Sequence, residues 1–120
     1  MFKIENDKIH LTRGDKCVIG LSIPDYTFKA EDYILFKVYR KKEMNKAPVL
    51  IKKVMANEGT TELEISLTSE ETKIGNFINQ EQEYWYEIEL NGEQTIIGYD
   101  EEGAKRLILY PEGADADDYE

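Results

Sequence analysis

The chain has 120 residues with 15 Lys and Arg against 25 Asp and Glu, which gives a formal net charge of −10, and it holds one Cys and one His. This length predicts a single domain that buries a core without disulfides, and one Cys excludes an internal disulfide framework. The acidity argues against nucleic acid and anionic membrane as partners, since both bind concentrated positive charge.

Apolar residues recur at every second position along most of the chain, which is typical of β-strands with two different faces. Two short extended pieces come first, Phe2 to Glu5 and Lys8 to Thr12, joined at Asn6-Asp7. The alternation then predicts seven longer strands, at residues 16–23, 33–40, 49–55, 61–67, 83–90, 94–99 and 105–110.

Two sequence motifs predict turns between these strands. Thr68 followed by Glu71 can form a capping box, and Gly75 closes about one helical turn over residues 68–75. Asn91-Gly92 is the pair that a type I′ hairpin turn favours. The sequence therefore predicts an all-β fold, an immunoglobulin-like antiparallel β-sandwich of seven to nine strands with one short helical turn. The predicted core comprises Ile34, Phe36, Val38, Leu63, Ile65, Leu67, Tyr86 and Ile88.

Residues 1–111 form the predicted sandwich domain, and residues 112–120 an acidic, disordered tail. Charge is uneven within the domain: residues 37–53 hold seven bases and one acid, whereas residues 58–102 hold thirteen acids and one base. These segments can pair within one molecule or match the acidic face of a neighbouring copy. A solvated polar face with some local neutralisation explains the same pattern.

Residues for catalysis are scarce. A nucleophilic Ser or Cys needs a base, and the only imidazole is His10, whereas Cys17 has the parity of core residues and reads as a small buried side chain. One His and one Cys cannot form a structural zinc site. We therefore expect no enzyme activity, no metal and no cofactor. Arg13-Gly14-Asp15 spells an integrin-ligand tripeptide, but its place between two strand segments favours a turn.

One surface is a candidate for binding another protein. Trp85 lies on the polar side of its strand, and in the predicted fold this strand shares a sheet with residues 33–40, whose outward side carries Leu35 and Tyr39. An exposed Trp with such neighbours is typical of an interaction surface, unless a loop or the last strand covers it. The predicted partner-binding residues are Trp85, Leu35, Tyr39, Arg40, Lys41 and Lys42.

Five short segments together suggest a known family: Ile9-His10-Leu11-Thr12-Arg13-Gly14-Asp15, Glu31 to Val38, Leu67 to Lys73, Tyr84 to Leu90 and Thr95 to Ile97. They resemble segments of the N-terminal domain of phage upper baseplate proteins, the BppU-like group of tailed phages and prophages of Gram-positive bacteria. The resemblance covers residues 1 to about 110, and the group's domain usually heads a longer chain, whereas this one ends in acidic residues.

The resemblance implies a small, non-catalytic β-sandwich that docks to other tail or baseplate proteins, and it transfers no functional residues. We accordingly expect a phage or prophage structural or adaptor protein, with a homo-oligomer as one form. The charged start and the lack of a long apolar run predict a chain without a signal peptide. With the resemblance, this implies synthesis in the host cytoplasm followed by incorporation into the virion. The alternative is a carbohydrate-binding module that stacks sugars on Trp85, Tyr39 and Tyr99.

Overall fold

A computed structural model describes residues 1–40, 47–76 and 78–112. All nine predicted strands are present, and their ends lie within two residues of the predicted ones. In chain order they are β1 (Phe2–Glu5), β2 (Lys8–Thr12), β3 (Cys17–Ser22), β4 (Tyr33–Tyr39), β5 (Leu50–Met55), β6 (Glu62–Leu67), β7 (Gln82–Leu90), β8 (Gln94–Ile97) and β9 (Lys105–Tyr110).

These strands form two sheets of a β-sandwich. The large sheet has seven strands in the order β1-β2-β9-β7-β4-β5, with β8 also paired to β7, and the small sheet consists of β3 and β6. One pair departs from the predicted antiparallel arrangement, because β2 runs parallel to β9. A parallel pair needs a long connection between its strands, and here most of the sequence of the domain lies between β2 and β9.

The core lies between the two sheets. The alternation of buried and exposed residues along β3 and β6 places every second side chain inside, as predicted. All eight predicted core residues are buried, and Ile34, Phe36, Val38 and Ile65 are fully so. Cys17 is buried as well, and this burial raises the pKa of its thiol to about 11. Cys17 is therefore a packing residue that stays protonated at neutral pH.

The predicted turns form with the expected chemistry. Asn91 and Gly92 have positive φ angles of 57° and 67°, as a type I′ turn requires. The capping box is present: Glu71 Oε1 accepts from the Thr68 amide at 3.0 Å, and Thr68 Oγ1 accepts from the Glu71 amide at 3.1 Å. The Thr72 amide donates to the Thr68 carbonyl at 3.1 Å. This is one helical turn, and no helix occurs in the described ranges.

Arg13 joins distant parts of the chain at one end of the sandwich. Its guanidinium donates to Glu112 Oε1 at 2.7 Å, to the Ile74 carbonyl at 3.2 Å and to the Gly75 carbonyl at 2.9 Å. The residue is buried, with 8% of its surface exposed. The Arg13-Gly14-Asp15 tripeptide is thus a turn whose arginine is unavailable to a receptor. Glu112, the first residue of the predicted tail, contacts the domain, and residues 113–120 lie outside the described part.

Asp32 joins two loops of the sandwich through hydrogen bonds. Its carboxylate accepts from the Tyr26 hydroxyl at 2.6 Å, from the Lys29 amide at 2.8 Å and from Asn91 Nδ2 at 3.0 Å. These hydrogen bonds, that of Tyr26 foremost, lower the pKa of Asp32 below its usual value of 3.8. The side chain therefore ties the loop before β4 to the β7–β8 hairpin.

We expect the Asp32 network to make stability depend on pH in a defined direction. A carboxyl with a lowered pKa in the fold stabilises it above the unfolded-state pKa, and this contribution is lost as the pH falls through the folded-state pKa. Asp32→Asn should therefore melt well below wild type at pH 7, and the gap should shrink as the pH drops below 3.8. Thermal melts between pH 7 and pH 2 measure this, with the exposed Asp25→Asn as the matched control. A gap that stays constant with pH would contradict the assignment.

Candidate functional site

The prediction that the strand of Trp85 and the strand of Leu35 and Tyr39 share a sheet is confirmed. β4 pairs with β7, and Tyr39 is the Cα partner of Trp85. Leu35, Tyr39 and Trp85 share the outer face of the large sheet, and we name these three residues the Trp85 face. Trp85 and Leu35 are half-buried. The next row of the ladder, Lys37 opposite Glu87, separates Leu35 from the other two, so charged residues interrupt the Trp85 face.

Tyr39 lies on the predicted face of the sheet, but it is not accessible there. Only 6% of its surface is exposed, and its hydroxyl donates to Glu87 Oε1 on the adjacent strand at 2.8 Å. Burial, together with Glu87, raises the pKa of Tyr39 well above its usual range. Strand parity correctly predicts the face of the sheet on which Tyr39 lies, but it does not predict that the hydroxyl binds Glu87 and that the ring is buried. Tyr39 therefore lies next to Trp85 in the ladder, but it does not offer a ring to a ligand.

Of the three basic residues predicted to bind a partner, only Arg40 lies in the described part of the chain. Arg40 is exposed at the end of β4, where its guanidinium donates to the Glu83 carbonyl at 3.0 Å and lies 5.1 Å from the centre of the Tyr84 ring. Because Tyr84 has inward parity on β7, this contact places Arg40 beside the Trp85 face and not on it. Lys41 and Lys42 lie outside the described residues. The cation nearest to Trp85 along the ladder is Arg106, its Cα partner on β9, which the sequence reading missed.

Opposite charges pair within one molecule on the large sheet. Lys37 Nζ lies 2.7 Å from Glu89 Oε1, and Arg106 Nη1 lies 3.2 Å from Glu83 Oε2. The first pair joins the basic segment to the acidic one, so at this point the two segments neutralise each other within one molecule. Such partly exposed pairs contribute little stability. They do set the positions of the charged groups on the sheet around Trp85.

Trp85 also borders a shallow cavity at the β9 end of the face. The cavity measures about 290 Å³, and its lining residues are Glu83, Trp85, Glu102, Gly103, Ala104 and Arg106. The loop before β9 and β9 itself therefore flank the indole on one side without burying it. An aromatic side chain in such a partly open setting, ringed by charges, has the anatomy of an interface anchor with a polar rim.

The residues considered for catalysis do not converge. His10 Nδ1 lies 2.8 Å from the Tyr110 hydroxyl, and the two rings stack with their centres 5.9 Å apart, on the outer face of the large sheet. Cys17 faces the core from the small sheet. Within residues 1–40, 47–76 and 78–112, no group of three or more His, Cys, Asp and Glu side chains is arranged to hold a metal ion.

The aromatic set considered for sugar binding is not assembled either. Tyr99 is the most exposed of the three, with 67% of its surface accessible, but it borders a separate cavity with Thr95 and Lys105. Tyr39 is buried, so of the three rings only those of Trp85 and Tyr99 are accessible, and they border different cavities. Stacking of a sugar chain usually needs more than one accessible ring in a row, and this arrangement does not favour the carbohydrate-binding alternative.

The described part of the chain contains no helix with the length and apolar character needed to cross a bilayer. No family model matches the sequence. Searches of curated proteins and of solved structures likewise find no significant similarity.

Proposed function

We propose that this chain is a non-enzymatic structural or adaptor protein of a phage or prophage virion, acting in the tail or baseplate through contacts with other tail proteins. The resemblance of residues 1 to about 110 to upper baseplate domains supports the proposal. The segments that carry the resemblance have structural roles: Arg13 closes one end of the sandwich, and Thr68 with Glu71 caps a turn. A scaffold of this kind requires no reactive side chain.

The observation that carries the docking role is the half-buried Trp85 at the centre of the large sheet's outer face. Burying a partly exposed indole supplies much of the binding energy in protein interfaces. The ion pair of Arg106 with Glu83 and that of Lys37 with Glu89 supply a charged rim that sets orientation. We therefore assign the Trp85 face to contact with a neighbouring protein in the particle.

The Trp85→Ala variant of the encoding phage tests the docking role. A central indole typically contributes at least about 2 kcal/mol to an interface, which is about a 30-fold loss of affinity. We expect purified particles to carry much less of the Trp85→Ala chain than of wild type. Tyr99→Ala removes another accessible aromatic ring and serves as the matched control, and circular dichroism checks the fold of both. Wild-type amounts of a folded Trp85→Ala chain in the particles would overturn the assignment.

A further inference from the structure

One side of the sandwich leaves two strand edges unpaired. Among the described residues, β5 ends the large sheet and β6 pairs only with β3 in the small sheet. The connection of residues 56–61 joins the end of β5 to the start of β6. Lys52 Nζ on β5 reaches Glu71, just past the end of β6, at 3.0 Å. The two strands therefore run side by side in opposite directions, and we name their free edges together the open side.

The backbone of β5 offers hydrogen bonds at this side. The Ala56 amide donates to the Asp32 carbonyl at 2.9 Å, in register with the β4–β5 ladder. Hydrogen-bonded pairs alternate in an antiparallel ladder, so residues 52 and 54 bond to β4 and residues 51, 53 and 55 direct their backbone groups outward. Free edges of this kind readily accept another strand.

Exposed apolar side chains accompany that edge. Ile51 has 55% of its surface exposed and Met55 has 56%, and both alternate with Lys53 on the outer face of the large sheet. A groove lies between the sheets at the same place, lined by residues 54–57 and 59–64. Apolar side chains on a free edge indicate a surface that a partner covers.

The two edges carry opposite charges. β5 contains Lys52 and Lys53 and no acid, whereas β6 contains Glu62 and Glu64 and no base. Lys52 is already paired with Glu71. Lys53, Glu62 and Glu64 are exposed and make no salt bridge to any described residue. The open side thus presents a basic strand next to an acidic one.

A second copy can meet these edges through a twofold axis in two ways. An axis perpendicular to the sheets sets β5 against β5 and β6 against β6, which brings lysines together and glutamates together. An axis parallel to the strands sets β5 against β6 of the other copy, twice. Like charges on facing strands destabilise and opposite charges stabilise, so charge complementarity selects the second arrangement.

We infer that the open side binds a second copy of this chain through a twofold axis parallel to the strands. A rotation about such an axis does not move residues along the strands. Lys53 and Glu64 each stand three residues from the connection of residues 56–61, so Lys53 of one copy faces Glu64 of the other. Both sheets then continue across the interface, and the contact is self-complementary, as closed dimers require. A foreign acidic strand would match β5 alone, whereas a second copy matches both edges. The inference does not rest on the proposed virion function.

Charge reversal with rescue tests the dimer. Sedimentation equilibrium over a wide concentration range should show wild-type dimers, with Lys53→Glu and Glu64→Lys each weakening association at least about tenfold, since each change turns two facing pairs repulsive. The double variant K53E/E64K should restore association, because it exchanges the charges without removing the pairs. Lys16→Glu and Glu93→Lys make the same charge changes on exposed residues outside the two free edges of the open side, and they should leave the dimer unchanged.

Three results would overturn the inference. The wild-type chain could stay monomeric at every concentration, even where it binds an added acidic peptide. Each single variant could associate as wild type does while remaining folded by circular dichroism. The double variant could fail to associate although both single variants are folded.

Discussion

Replacing Arg13 with Met should lower the free energy of unfolding by about 3 to 5 kcal/mol, the usual cost of removing one partner of a buried ion pair. The guanidinium joins Glu112 to the turn around Ile74 and Gly75, and its side chain is 9% exposed. The variant leaves three backbone carbonyls, those of Lys73, Ile74 and Gly75, and one carboxylate without this donor. Urea denaturation followed by circular dichroism gives the difference.

Arg106→Met is the matched control for this prediction. Arg106 also pairs with a glutamate, but its side chain is 54% exposed, so the loss should be no more than about 1 kcal/mol. Glu112→Gln removes the charge of the partner and keeps an acceptor, and it should fall between the two. An Arg13→Met variant as stable as Arg106→Met would show that the buried cluster does not hold the end of the sandwich together.

Ile65→Ala should cost about 2 to 5 kcal/mol, because it opens a cavity in the middle of the core. Ile65 has no exposed surface, and its Cα partner Ile19 on β3 is buried beside it. The small sheet has only two strands, so little else can close over the missing methyl groups. Val18→Ala on the exposed face of the same sheet is the control and should change stability by about 0.5 kcal/mol or less. A loss below about 1 kcal/mol at Ile65 would contradict the two-layer core.

The strands could be predicted from the sequence because each depends on local alternation. Leu63, Ile65 and Leu67 alternate with acids and a serine, and this pattern alone assigns their faces. The Asn91-Gly92 turn is equally local. The parallel pairing of β2 with β9 could not be predicted, because it depends on where the chain returns after most of the domain.

The candidate site was predictable only in part. Parity placed Trp85 and Tyr39 on one face, but it does not show that Tyr39 is buried and hydrogen-bonded to Glu87 of the neighbouring strand. The role of Arg13 depends on Glu112, 99 residues away in sequence. The open side was also predictable only in part. The charges of β5 and β6 are visible in the sequence, but the adjacency of the free edges of these strands is not.

Quantitative mass spectrometry of purified particles from the encoding phage or prophage tests the central proposal most directly. The account predicts this chain in the particles at a fixed ratio to the tail proteins, undiminished by washing in high salt. Its absence from particles, while the free chain accumulates in the producing cells, would contradict a structural role in the virion.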